Sequence, residues 1–114
     1  MPQALFAHAA RDLRLSKIAA EAPGPGQVRI AMKRGGICGS DLHYYNYGGF
    51  GAVRLKEPMI LGHEVAGEVV ELGEGVTSPT VGDLVAVSPS RPCGTCVECL
   101  RGLPNQCLKM RFYG

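Results

Sequence analysis

Four cysteines near the end of this chain and a Cys, His and Glu set in its middle are the residues whose types and spacing suit chemistry. Cys93, Cys96, Cys99 and Cys107 are separated by gaps of two, two and seven residues. Four thiolates drawn from one loop close a tetrahedral site with no open position. That is the arrangement of a structural zinc, which stabilises a lobe too small to have a core of its own. A bacterial-type iron–sulfur cluster is the rival, but it needs three residues before its fourth cysteine and a proline after it. Here seven intervene and Leu108 follows. The odd total of five cysteines and their clustering argue against a secreted disulfide framework. Four thiolates around Zn²⁺ carry a net −2, which Arg91 and Arg101 at the edges of the lobe, residues 91–108, can offset, unless they are solvated surface arginines.

The second set is Gly62-His63-Glu64 with Cys38, the fifth cysteine, upstream. A thiolate, an imidazole and a carboxylate suit zinc, and three protein ligands leave a fourth position for water or substrate, the mark of a catalytic rather than a structural ion. The plainer alternatives are a solvated or salt-bridged His-Glu pair on a turn and a cysteine acting as a small buried hydrophobe. Neighbours in a regular strand point to opposite faces, so His63 and Glu64 reach one ion only where the backbone is irregular, and Gly62 permits that.

Positioning these groups requires strands and turns. Gln3 to His8 and Leu13 to Ile18 flank Ala9-Ala10-Arg11-Asp12 as a hairpin. Pro23-Gly24-Pro25-Gly26 is a loop. From Gln27 to Lys33, Val28, Ile30 and Met32 alternate with Arg29, Ala31 and Lys33, the period of a half-buried strand. Gly35-Gly36 then turns the backbone towards Cys38, and Ser40-Asp41 provides an N-cap for a short helix through about Tyr45. Cys38 thus falls at a strand-to-helix junction, where a helix N-terminus favours the thiolate. Tyr44, Tyr45, Tyr47 and Phe50 surround a glycine-rich loop, as core and rim residues or as part of a site. Val65 to Leu72 reads as a strand with Glu68 and Glu71 outward or at its edge, ending in the turn Gly73-Glu74-Gly75, and Leu84 to Val87 as a buried strand. Short strands between turns with one brief helix predict a small, mainly β domain with barrel-like closure.

Composition agrees. Among 114 residues, 46% are apolar and 16 are glycine with 8 proline, which favours turns and short strands around one core. A net charge of +2 is too small to argue for nucleic acid or an anionic membrane, and no apolar run approaches the roughly 20 residues of a bilayer span. The start lacks the basic and apolar regions of a signal peptide, so a cytoplasmic protein is expected. A dinucleotide fingerprint is missing: Gly49-Phe50-Gly51 is followed by Arg54 where a third glycine belongs.

On these residues the chain resembles the N-terminal GroES-like domain of zinc-containing medium-chain alcohol and polyol dehydrogenases. Gly62-His63-Glu64-x-x-Gly67, then five residues to Gly73 and two to Val76, matches the family's zinc signature, and the four-cysteine lobe follows in the expected place. Gly35 to Tyr45, with Asn105-Gln106-Cys107 and Met110 to Gly114, is most similar to the L-idonate 5-dehydrogenase branch, with sorbitol and butanediol dehydrogenases as near relatives.

The resemblance implies a GroES-like, partly open β-barrel with a short helix and a zinc-binding lobe. It implies that Cys38 and His63 hold a catalytic zinc, that Ser40 meets the reacting alcohol, that His43 continues a proton path to solvent, that Asp41 orients His63 and that Tyr44 contacts substrate. Glu64 is a direct ligand in polyol-type members and lies further out in many alcohol-type ones, so both arrangements stay open. NAD or NADP would sit on a following Rossmann domain absent from these residues. A fragment of a homo-oligomeric enzyme oxidising a secondary alcohol to a ketone is therefore expected, acting on a polyol or sugar acid whose carboxylate meets one or more of Arg54, Lys56 and Arg111. A non-enzymatic zinc-binding module of the same fold is the alternative, and a second zinc at Cys38 and His63 discriminates the two.

Overall fold

The computed structural model describes residues 2–112. Strand β1 (Gln3–Ala9) folds back on β2 (Asp12–Lys17) from Gln3↔Lys17 to Ala9↔Asp12. The turn between them is tight enough to put Arg11 at φ 61, and its N–H donates to the Tyr45 carbonyl at 2.6 Å, tying the hairpin to the end of the first helix. β3 (Val28–Gly35) follows the Pro-Gly loop, and helix α1 (Gly39–Tyr47) follows β3. Two-residue strands β4 (Gly49–Phe50) and β5 (Val53–Arg54) form a ribbon, and β6 (Met59–Ile60) joins the outer side of β1. β7 (Val65–Leu72) runs antiparallel between β3 and β8 (Leu84–Val87). The remaining elements are β9 (Ser90–Arg91), helix α2 (Val97–Leu100), a 3₁₀ turn (Pro104–Gln106) and β10 (Arg111–Phe112), which pairs with β9.

Two three-stranded antiparallel sheets, β2-β1-β6 and β3-β7-β8, and two small ribbons therefore make the expected mainly β, GroES-like architecture. Among the described residues no helix is long and apolar enough to cross a membrane.

Several details differ from the sequence reading. Cys38, not Ser40 or Asp41, occupies the N-cap of α1 (φ −88, ψ 157), because the Asp41 carboxylate three residues on reaches back to accept the Cys38 N–H at 3.0 Å. The helix runs two residues past Tyr45 and ends where Gly48 adopts φ 68. In β3 the alternation holds for Val28 and Ile30 but not for Met32, which is exposed beside a register shift between Met32 and Arg34. Glu68 and Glu71 are half-buried, Glu71 pairing with Arg29 at 2.7 Å. β8 is a strand but not a buried one: among the described residues it pairs with β7 alone, and Leu84 is 81% exposed. A second helix, α2, lies inside the cysteine lobe.

The core is thin. Ala7 and Val69 are the fully buried apolar residues among those described, and the radius of gyration is 15.9 Å, against about 13 Å for a compact chain of this size. The buried polar residues are Asp41 and His63, both 9% exposed. Burial of polar groups is costly unless they are paired, so their concentration beside Cys38 singles out this place in the fold.

Candidate metal centres

In the lobe the cysteine spacing acts locally. Cys96 is the N-cap of α2, Cys99 lies within that helix, and Cys107 caps the 3₁₀ turn, so three short elements bring the thiols round to Cys93. The ligand atoms of Cys93, Cys96, Cys99 and Cys107 all lie within 4.8 Å of one another. Two edges of the cluster are resolved, Cys93 Sγ to Cys99 Sγ at 4.0 Å and Cys96 Sγ to Cys107 Sγ at 3.9 Å. A tetrahedron with Zn–S bonds of about 2.3 Å has edges of about 3.8 Å, whereas a disulfide needs about 2.05 Å. The sulfurs thus fit one tetrahedral zinc and are free thiols.

Backbone donors prepare the site. Cys93 Sγ accepts the N–H of Thr95 at 3.4 Å and of Cys96 at 3.2 Å, and Cys107 Sγ accepts those of Cys93 at 3.2 Å and Lys109 at 3.3 Å. Donation from Thr95, backbone first and hydroxyl second, with Cys96 behind it, draws the Cys93 thiol down to about 5. The N–H groups of Cys99 and Leu108 lower that of Cys96. Desolvation pushes Cys99 up to about 12. A dication deprotonates a coordinating thiol outright, so Cys99 is the ligand that most needs it. Arg101 is engaged with Glu98 at 3.7 Å, while Arg91, Lys109 and Arg111 line a cavity of about 330 Å³ beside Cys93, placing cations next to the thiolates.

The second centre is assembled over a longer stretch of chain. Cys38 sits at the junction of β3 and α1, and His63 and Glu64 lie between β6 and β7, outside any strand, after Gly62 at φ 106. With the backbone irregular there, the ligand atoms of Cys38, His63 and Glu64 all fall within 4.8 Å of one another. Gly36 makes room for this: its N–H donates to the Glu64 carbonyl at 2.7 Å, and a Cβ there would overlap the Glu64 carboxylate.

His63 Nδ1 is buried and has no hydrogen-bond partner among the described residues. Leaving such a nitrogen unpaired costs about 1–3 kcal/mol. With a half-buried thiol and an exposed carboxylate beside it, the donor set fits a borderline-soft cation such as zinc. The hydrogen bond expected from His63 to Asp41 is replaced by another: Asp41 accepts the Cys38 N–H and so orients the thiol-bearing residue.

The remaining predicted residues are distributed along α1. Ser40 and His43 are one turn apart on its surface, Ser40 half-buried and His43 exposed. The His43 ring meets Phe50 edge-on at 5.1 Å and Tyr47 at 6.1 Å, and Tyr44 is half-buried. Arg54 donates to the Tyr47 carbonyl at 3.1 Å, close to this aromatic group. A cavity of about 570 Å³ reaches His63, with Gly62, Val65, Val87 and Pro89 among its walls. One neighbour of the site went unrecognised in the sequence: Phe112 stacks edge-on against the His63 ring at 5.0 Å and 64°.

Known proteins match this architecture. Residues 24–114 match the family model for the alcohol dehydrogenase GroES-like domain. The L-threonine 3-dehydrogenase of Pyrococcus horikoshii is 47% identical over 92 residues, 81% of this chain and 26% of that protein. The L-idonate 5-dehydrogenase (NAD(P)(+)) of Escherichia coli is 50% identical over 90 residues, 75% of this chain and 24% of that one. The crystal structure of L-idonate 5-dehydrogenase from Escherichia coli superposes with a TM-score of 0.86 at 38% identity, over 98% of this chain and 32% of that one. The chain thus spans about a quarter of the length of the curated relatives it matches. With its sheet topology, its four-cysteine lobe and this degree of identity, the chain belongs to the GroES-like domain family of the zinc-containing medium-chain alcohol and polyol dehydrogenases.

Proposed function

We propose that this domain is the alcohol-activating part of a longer NAD(P)-dependent dehydrogenase, with zinc held by Cys38, His63 and Glu64. The observation that carries this reading is the convergence of those three ligand atoms within 4.8 Å, at a histidine whose buried Nδ1 has no hydrogen-bond partner among the described residues. Zinc there supplies Lewis acidity, lowering the pKa of a bound hydroxyl. Ser40 accepts the hydroxyl proton and His43, exposed one turn further along α1, hands it to solvent. Asp41 keeps Cys38 in register by accepting its N–H. The nicotinamide is held by a separate nucleotide-binding domain, since this chain offers no glycine fingerprint for a pyrophosphate.

L-idonate is the substrate we favour over sorbitol. The two relatives described above are named for L-idonate and L-threonine, and both compounds join a secondary hydroxyl to a carboxylate. Arg54, beside the His43 aromatic group, and Lys56 are the cations we assign to that carboxylate. Arg111 instead lines the cavity at Cys93. Steady-state kinetics of the intact enzyme with L-idonate, L-threonine and sorbitol test the assignment. A higher kcat/KM for L-idonate, reduced by Arg54→Ala or Lys56→Ala, is expected. Preference for sorbitol sinks the substrate, and no turnover in a two-zinc protein sinks the activity.

A further inference from the structure

The Cys93 cluster and the Cys38 centre are joined through one short ribbon. β9 ends two residues before Cys93 and β10 begins four residues after Cys107. Among the described residues the ribbon has two residue pairs, Arg91↔Arg111 and Ser90↔Phe112. A two-stranded ribbon is marginal by itself. What closes it is the cluster: the Cys93 N–H and the Lys109 N–H both donate to Cys107 Sγ, at 3.2 and 3.3 Å. At the far end of the ribbon, Phe112 meets the His63 ring at 5.0 Å. Contact with Phe112 restricts rotation of the His63 ring, the kind of orienting support that groups outside the ligand set give at many metal sites.

We propose that Phe112 is a positioning residue for His63, and that metal in the four-cysteine lobe, by closing the β9–β10 ribbon, sets the metal affinity of the Cys38, His63 and Glu64 centre. This rests on the reading of that centre as a metal site. Linkage makes the effect reciprocal: metal at the open centre should tighten metal in the lobe by the same factor.

Cobalt(II) titration of the metal-free intact enzyme separates the two centres, because an all-sulfur site and a mixed sulfur, nitrogen and oxygen site have different thiolate charge-transfer and ligand-field bands. In Phe112→Ala the mixed-ligand bands should require about tenfold more cobalt, while the all-sulfur bands titrate as in the parent and report an intact lobe. Phe112→Leu, which restores apolar packing, should recover most of the affinity. In Cys107→Ser, with the lobe unfilled, the open centre should weaken at least as much as in Phe112→Ala. An unchanged mixed-ligand isotherm in Phe112→Ala or in Cys107→Ser overturns the coupling. A parent that shows all-sulfur bands alone overturns both the coupling and the metal reading beneath it.

Discussion

The lobe takes all four ligands from fifteen consecutive residues, whereas Cys38 and the His63-Glu64 pair are separated by a helix, a ribbon and a strand. The short closure costs little chain entropy, and the sulfurs are already served by backbone N–H groups at 3.2 to 3.4 Å. The longer one brings together a thiol, a buried imidazole and an exposed carboxylate, and among the described residues the imidazole Nδ1 is unpaired and the set offers three ligands where four make a closed site. On the reading proposed above, the first centre is closed by a metal, and the second stays open for chemistry with its ligands positioned by the surrounding fold.

The largest difference should appear in stability. Structural zinc contributes apparent binding energies of about 10–16 kcal/mol in small domains, so Cys107→Ser should release one zinc and expose residues 93–107 to rapid proteolysis. Cys38→Ser should leave the lobe's protease resistance and the chelator sensitivity of folding near parental. Equal chelator sensitivity in the two variants would erase the division of roles.

Activity comes next. Ser40→Ala in the intact enzyme should lower kcat by roughly 10²-fold or more while zinc content stays unchanged, since a proton acceptor is lost and no ligand is. A proportional loss of zinc would reassign Ser40 to the scaffold of the site.

A smaller effect is expected at Gly36, where an added methyl overlaps the Glu64 carboxylate. Gly36→Ala should weaken metal at the open centre by about tenfold and leave the lobe untouched, with Glu64→Gln losing at least as much. Isothermal titration of each variant decides it, and parental affinity in Glu64→Gln would place that carboxylate outside the ligand set. Smallest of all, Arg29→Ala removes the exposed pair with Glu71 at 2.7 Å and no metal ligand. Its cost in thermal unfolding should stay below about 1 kcal/mol.

Much of this was legible in the sequence because it is local. The cysteine spacing, the alternation at Val28 and Ile30, the turn glycines and the breaking of regular backbone at Gly62 each need only a few neighbouring residues to be read. Features that depend on distant partners were not. Leu84 to Val87 is apolar enough for an inner strand, yet its exposure follows from which strand lies beside it. β9 and β10 are too short to show any period, so nothing in residues 90–112 announced that Phe112 would meet His63. The helix cap was misplaced for a related reason: Ser40 and Asp41 are both good caps by type, and only the reach of the Asp41 carboxylate back to Cys38 decides which residue the helix begins on.

The most direct test is the zinc content of the purified intact protein, measured beside its Cys38→Ser and His63→Ala variants. Two zinc ions per chain in the parent and one in each variant is the result that two separate centres require. A single zinc in the parent, or two retained after either substitution, would contradict a metal at Cys38, His63 and Glu64 and leave the lobe as the domain's one metal site.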